Sequence, residues 1–196
     1  MNNLNFEDHL FDYIYRLKST FNSENIKCIE KLSKDIINVW DNGNKVYICG
    51  NGGSGANAIH IANDFHYGLG NGIKKDKRLG MDVEALVSNQ AIVTCLANDI
   101  GYEKIFSYQL EVKASSSDLL IVLSGSGNSP NVVNALHAAN KLKLKSYALL
   151  GFDGGICKDL ASEVIHFKID DMLVSEDLQM ITFNICFEWI VKIKNL

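Results

Sequence analysis

Two stretches of small residues carry the most specific chemistry in this 196-residue chain. Gly50-Asn51-Gly52-Gly53-Ser54-Gly55 follows the apolar run Val46-Tyr47-Ile48-Cys49, and Ser124-Gly125-Ser126-Gly127-Asn128-Ser129 follows Leu119–Leu123. A loop without bulky side chains lets main-chain N–H groups approach an anion, and a helix starting behind it adds the positive end of its dipole. Serine hydroxyls add donors at little steric cost. Ser124, Ser126 and Ser129 therefore read as a phosphate cradle. The first loop also fits Gly-x-Gly-x-x-Gly through Gly50, Gly52 and Gly55. A dinucleotide fold would then need an acidic residue closing the next strand, about 20 residues on. The next strand candidate starts near residue 83 and ends in Val87-Ser88-Asn89, without an acid. Neither loop is followed by Gly-Lys-Ser/Thr, so neither is a nucleoside-triphosphate loop. No nucleotide cofactor is expected.

Such loops need strands to carry them and helices to head them. Apolar runs of strand type occur at 45–49, 83–87, 119–123, 146–150 and 164–169. Helical patterns lie between them, at 54–65, 91–97, 102–112 and 131–142, and a long closing helix runs from Ser175 to Lys194. Near-continuous apolar strands alternating with helices imply a parallel sheet covered on both faces. The expectation is a three-layer α/β/α fold on five parallel strands, with ligands bound outside the carboxyl ends of the strands. Residues 1–42 form a helical extension and 43–196 the α/β core of a single domain, 1–196. In the extension, Leu10, Phe11, Ile14 and Leu17 recur at helical spacing, then Ile26, Ile29, Leu32, Ile36, Ile37 and Trp40. That is more apolar surface than a solvent-facing helix needs, so the extension either packs on its own domain or makes subunit contacts.

Composition narrows the class. Nineteen Lys+Arg against 23 Asp+Glu give a net charge of −4, which argues against nucleic acid or an anionic membrane surface as a partner. No apolar run approaches the ~18 residues of a membrane span. The start, Met1-Asn2-Asn3-Leu4-Asn5-Phe6-Glu7-Asp8, lacks the basic flank and apolar stretch of a secretory signal. Cys28, Cys49, Cys95, Cys157 and Cys186 are odd in number, scattered and never in Cys-x-x-Cys spacing. They read as buried free thiols of a reducing compartment, which makes the cytoplasm the expected location. His9, His137 and His166 read as structural or exposed. His66 with Lys74, Lys75, Lys77 and Arg78 reads as a solvated basic loop.

Four ordered motifs then carry a resemblance over essentially the whole chain: GNGGS-x5-H from Gly50 to His60, AND-x-GYE-x-IFS from Ala97 to Ser107, SGSGNS-x-NV from Ser124 to Val132, and LLG-x-DGG from Leu149 to Gly155. They are similar to the SIS (sugar isomerase) domain, which is flavodoxin-like, and within it to the phosphoheptose isomerases. The resemblance implies an aldose–ketose isomerase acting on sedoheptulose 7-phosphate or a related heptose phosphate for surface polysaccharide. It implies a homotetramer with active sites between subunits. It also implies that Asn51, Gly52, Gly53, Ser54, Asn98, Asp99, Ser124, Gly125, Ser126 and Ser129 line a sugar-phosphate pocket, the second loop taking the phosphate.

In that family a His and a Glu one helical turn apart follow the first loop. The closing helix supplies a Gln and, eight residues later, a His. These four are implicated in zinc binding, and the Glu and second His serve as acid and base. Carried over, they become His60, Asp64, Glu176 and Asn184. His60 and Asp64, at i and i+4, share a helix face and are candidate zinc ligands with Glu176. Asn184 does no acid/base work. The expected catalytic set is therefore Asp64 and Glu176 as a carboxylate pair, with His60 assisting or holding the metal. The alternative is a non-catalytic phosphosugar-binding tetramer acting as a regulator or scaffold.

Overall fold

The computed structural model describes residues 5–69 and 79–195. Two helices, α1 (Phe6–Ser19) and α2 (Ser23–Asp41), precede strand β1 (Val46–Cys49). Then come α3 (Gly52–Asn63), a π-helical turn (Asp64–Gly68), β2 (Val83–Ala85) and α4 (Gln90–Asp99). A 3₁₀ turn (Tyr102–Lys104) leads to α5 (Ser107–Lys113), β3 (Leu119–Ser124) and α6 (Pro130–Leu142). The chain closes with β4 (Lys145–Leu150), a short α7 (Cys157–Leu160), β5 (Glu163–His166) and α8 (Met172–Lys194). The strands form one parallel sheet in the order β2-β1-β3-β4-β5.

Strand alternation divides the core between two faces. Val46, Ile48, Leu119, Ile121, Leu123, Leu149 and Ile165 face one side, where Ile29, Leu32 and Ile36 of α2, Ala58 and Ile61 of α3, and Leu178, Phe183 and Ile190 of α8 cover them. Tyr47, Cys49, Leu120, Val122, Ala148 and Leu150 face the other, under Leu110 of α5 and Val132, Ala135, Leu136 and Ala139 of α6. Each fully buried Leu or Ile contributes roughly 1.5–3 kcal/mol. These two layers therefore hold the strand ends, and so the loops, in place. Element starts follow local capping. Asn22 accepts from the N–H groups of Glu24 and Asn25 to open α2. Asp171 accepts from those of Leu173 and Val174, so α8 begins three residues before Ser175. Pro130 opens α6, where its missing N–H costs nothing.

Three details differ from the sequence pattern. The 102–112 segment is not one helix but a 3₁₀ turn followed by α5. Strand β5 ends at His166, before the apolar run does. Helix α1 buries no residue: Phe6, Leu10, Phe11, Ile14 and Tyr15 are all exposed. Half-buried Tyr13 and Leu17 pack against the core, and polar contacts add to them. Tyr13 Oη donates to Asp177 at 2.6 Å, and Arg16 bonds Asp171.

Candidate active site

In the order β2-β1-β3-β4-β5, the chain leaves β1 towards one edge and later returns to build towards the other. The crevice between the carboxyl ends of β1 and β3 is thus the topological switch point. Both small-residue loops lie there. Asn51, between β1 and α3, exchanges two hydrogen bonds of 2.8 Å with Asn131, in the first turn of α6. Tyr102 Oη donates to Asn51 Oδ1 at 3.0 Å, bringing in the segment that follows Asn98 and Asp99. Asn131 is only 1% exposed. This amide pair fixes the spacing between the loops; the sequence marks Asn51 but carries no local signal that Asn131, 80 residues on, is its partner.

The second loop is braced internally. Buried Ser124 accepts the Gly127 N–H on its Oγ at 3.0 Å, and Ser126 Oγ accepts the Asn128 N–H at 3.3 Å. Gly127 has φ +66°, and a Cβ there would collide with the Gly154 carbonyl, so only glycine fits. Ser129 is the N-cap of α6 and its side chain makes no capping bond; Pro130 has no N–H and the Val132 N–H goes to Asn131 Oδ1 at 3.0 Å and to the Ser129 carbonyl, which leaves the Asn131 N–H open to a ligand. The head of α3 is alike: Asn51 makes no side-chain cap over Gly52, Gly53 and Ser54. Two uncapped helix heads thus face one crevice. Asn98 and Asp99 stand exposed at the end of α4, with Asn98 Nδ2 donating to Asp99 Oδ1 at 2.7 Å.

One face of α8 roofs the crevice. Met172, Ser175 and Glu176 stand at i, i+3 and i+4 and so point the same way. Met172 lies against Gly125, Ser175 against Gly151 and Glu176 against Gly53, each so closely that a Cβ on the glycine would collide. The Glu176 carboxylate is half-buried and has no hydrogen-bond or ion-pair partner among the described residues. One turn further on, Gln179 (2% exposed) donates to Ser54 Oγ at 3.0 Å and accepts from Asn57 Nδ2 at 3.0 Å. Gln179 also went unremarked in the sequence. It is the only glutamine of α8, and the residue eight positions on is Phe187, packed on Phe65.

His60 and Asp64 do meet, Nε2 to Oδ2 at 3.3 Å, but on an exposed face of α3. Beside them an open cleft of ≈ 480 Å³ is lined by Asn63, Asp64, Tyr67, Gly68, Asn184, Phe187 and Glu188. Glu176 is not there. Gly53, which it touches, precedes His60 by seven residues and Asp64 by eleven, about 10 and 16 Å of helix rise. Within one chain the expected Asp64–Glu176 carboxylate pair does not form, because α8 lays Glu176 on the opening turn of α3 and not its last.

The same separation bears on metal. Among the described residues no three His, Cys, Asp or Glu side chains are grouped to hold an ion. Zinc takes at least three protein ligands, so His60, Asp64 and Glu176 of one chain do not compose a zinc site. All five cysteines are free, but Cys95 is exposed, contrary to expectation, because α4 buries no residue. Burial pushes the Cys49 thiol, at the end of β1, well above its ordinary range. His66 Nδ1 lies 3.1 Å from the Met81 carbonyl, while Lys74, Lys75, Lys77 and Arg78 lie outside the described residues. No described helix is long and apolar enough to cross a membrane.

Comparison with known proteins bears on the same features. Residues 9–151 match the family model described as SIS domain. Phosphoheptose isomerase of Aliarcobacter butzleri is 43% identical over 132 residues, covering 67% of each chain. That of Chlorobaculum parvum is 40% identical over 157 residues, covering 79% of this chain and 74% of its own. A phosphoheptose isomerase structure from Francisella tularensis superposes with a TM-score of 0.86 at 25% identity, over 97% of this chain and 98% of that one.

Proposed function

Because the chain belongs to the SIS domain family, and within it to the phosphoheptose isomerases, we propose that it interconverts sedoheptulose 7-phosphate and the matching aldose phosphate. It is an isomerase of sugar phosphates; the seven-carbon substrate and a place in surface-polysaccharide synthesis in the cytoplasm are the finer reading. The observation that carries this reading is the crevice itself, with two uncapped helix heads tied together by Asn51 and Asn131 and one unpaired carboxylate in its roof.

The phosphate takes the second loop. The Asn131 N–H at the head of α6 and the hydroxyls of Ser124, Ser126 and Ser129 receive its oxygens. The sugar runs from there towards the first loop, with its hydroxyls reaching Asn51, Asn98 and Asp99. Glu176 takes the proton from C1 of the ketose, the C1–H electron pair becomes the C1–C2 double bond, and the carbonyl pair moves to the C2 oxygen. The unmet N–H groups of Gly52, Gly53 and Ser54 stabilise that oxyanion. Glu176, whose proton exchanges with solvent, then protonates C2 while the O1 proton passes to the C2 oxygen and the O1–H electron pair becomes the C1 carbonyl, which yields the aldose. Gln179 holds Ser54 and Asn57 and so sets how Glu176 sits on α3.

His60 and Asp64 face outward, which suits a role in a neighbouring subunit's site. The exposed apolar side chains of α1 support a homotetramer. A zinc ion would need donors from a second subunit beside His60 and Asp64, and no step above passes through one. The test is incubation with sedoheptulose 7-phosphate in deuterated water. Aldose phosphate carrying deuterium at C2 is expected. Unlabelled substrate and no aldose would overturn the reading and return the non-catalytic alternative, which the isomerase relatives do not favour.

A further inference from the structure

The charges around the crevice do not balance evenly, and the imbalance bears on which sugars it admits. Two helix heads point into it, at Gly52 of α3 and Pro130 of α6, and neither N-cap side chain, Asn51 or Ser129, makes a capping bond. Of the carboxylates named at the crevice, Glu176 lies against a helix head, whereas Asp99 stands at the exposed end of α4. Of the three α8 side chains that roof the crevice, Met172 and Ser175 are neutral, and Glu176 lies against the opening turn of α3. The positive end of α3 is therefore already matched by a fixed negative charge, whereas that of α6 is open to an incoming anion. Among the described residues no cationic side chain is paired with Glu176.

Resting on the proposed reading of the site, we infer that Glu176 is a charge filter, making the crevice selective for sugars with a single phosphate and rejecting those with a second at the far end. Adjacent parallel strands lie about 4.8 Å apart. A seven-carbon chain anchored on the β3–α6 loop therefore reaches past the β1–α3 loop, which brings its C1 end to Glu176. A phosphate there meets a half-buried like charge, and at such separations the repulsion weakens binding by about tenfold or more. The reaction escapes this penalty. When Glu176 accepts the C1 proton it becomes a neutral acid as the substrate gains its oxyanion, so the site never holds both charges at once.

The experiment is calorimetric titration of the ketoheptose 7-phosphate and its 1,7-bisphosphate into the intact protein, into Glu176→Gln and into Glu176→Asp. The wild type is expected to bind the bisphosphate at least tenfold more weakly than the monophosphate. Glu176→Gln, which keeps the shape and loses the charge, narrows that ratio about tenfold; Glu176→Asp keeps it. A ratio that is the same in wild type and Glu176→Gln overturns the filter while leaving the site reading intact, since the bulk of the second phosphate alone would then explain it. Failure of the wild type to bind the 7-phosphate overturns the site reading, and the filter with it.

Discussion

Asn131→Ala tests whether the two loops act as one site. Asn131 is 1% exposed and exchanges two 2.8 Å hydrogen bonds with Asn51. The Val132 N–H, which it also receives at 3.0 Å, keeps the Ser129 carbonyl as a second acceptor and is not orphaned. Asn51 keeps the Tyr102 hydroxyl and is half-buried, so water can reach its freed amide. The loss is then two bonds at about 1 kcal/mol each, plus the space left by a small buried side chain, roughly 2–3 kcal/mol in all. For a chain of this size that lowers Tm by about 5–10 °C. The loops also lose the strut that sets their spacing, so KM for the sugar phosphate rises about tenfold. Asn51→Ala with Asn131→Ala closes a double-mutant cycle, measured by thermal and urea unfolding at one protein concentration. A coupling of about 1–2 kcal/mol is expected. Additive effects, or a Tm within about 2 °C of the parent, would refute the claim that the pair joins the loops.

Tyr102→Phe removes one hydroxyl from Asn51 and should raise KM a few-fold while costing about 1 kcal/mol of stability; steady-state kinetics and melting check both. Gly127→Ala must adopt φ +66° and push against Gly154, so it should destabilise by about 2 kcal/mol or more and weaken binding of inorganic phosphate in titration. The Tyr13 phenol is pushed up to about 12 by burial and then by its bond to the Asp177 carboxylate. A raised folded-state value favours the protonated form, so this contribution is whole below pH ~10 and fades as pH climbs towards about 12. Urea midpoints of wild type and Tyr13→Phe should therefore differ at pH 9 and converge near pH 12, and a constant gap would count against the Tyr13–Asp177 tie.

The two loops of the candidate site were legible as loops because their signals are local. A loop of Gly, Ser and Asn after an apolar run needs no distant partner to read as an anion cradle, and both such loops lie at the switch point. The strands were legible because both faces are buried, which leaves near-continuous apolar runs. Helix starts were less so. Ser175 looked like the opening of the last helix, whereas Asp171 caps it and puts Ser175 one turn inside, against Gly151. The exposure of Cys95 was hidden because an apolar run reads the same on a covered helix and on α4, which buries nothing.

Residue order alone determined the alternation of strand and helix, the two anion loops and the i, i+4 pairing of His60 with Asp64, because each depends on neighbours within a few turns of chain. Only tertiary structure decided which turn of α3 receives Glu176, that Gln179 is drawn inside onto Ser54 and Asn57, and that Asn51 finds Asn131. Those partners lie 80 residues or more apart in the chain. Helix periodicity says which side chains share a face, but the direction that face takes is set by how α8 packs across α2 and α3 over the sheet.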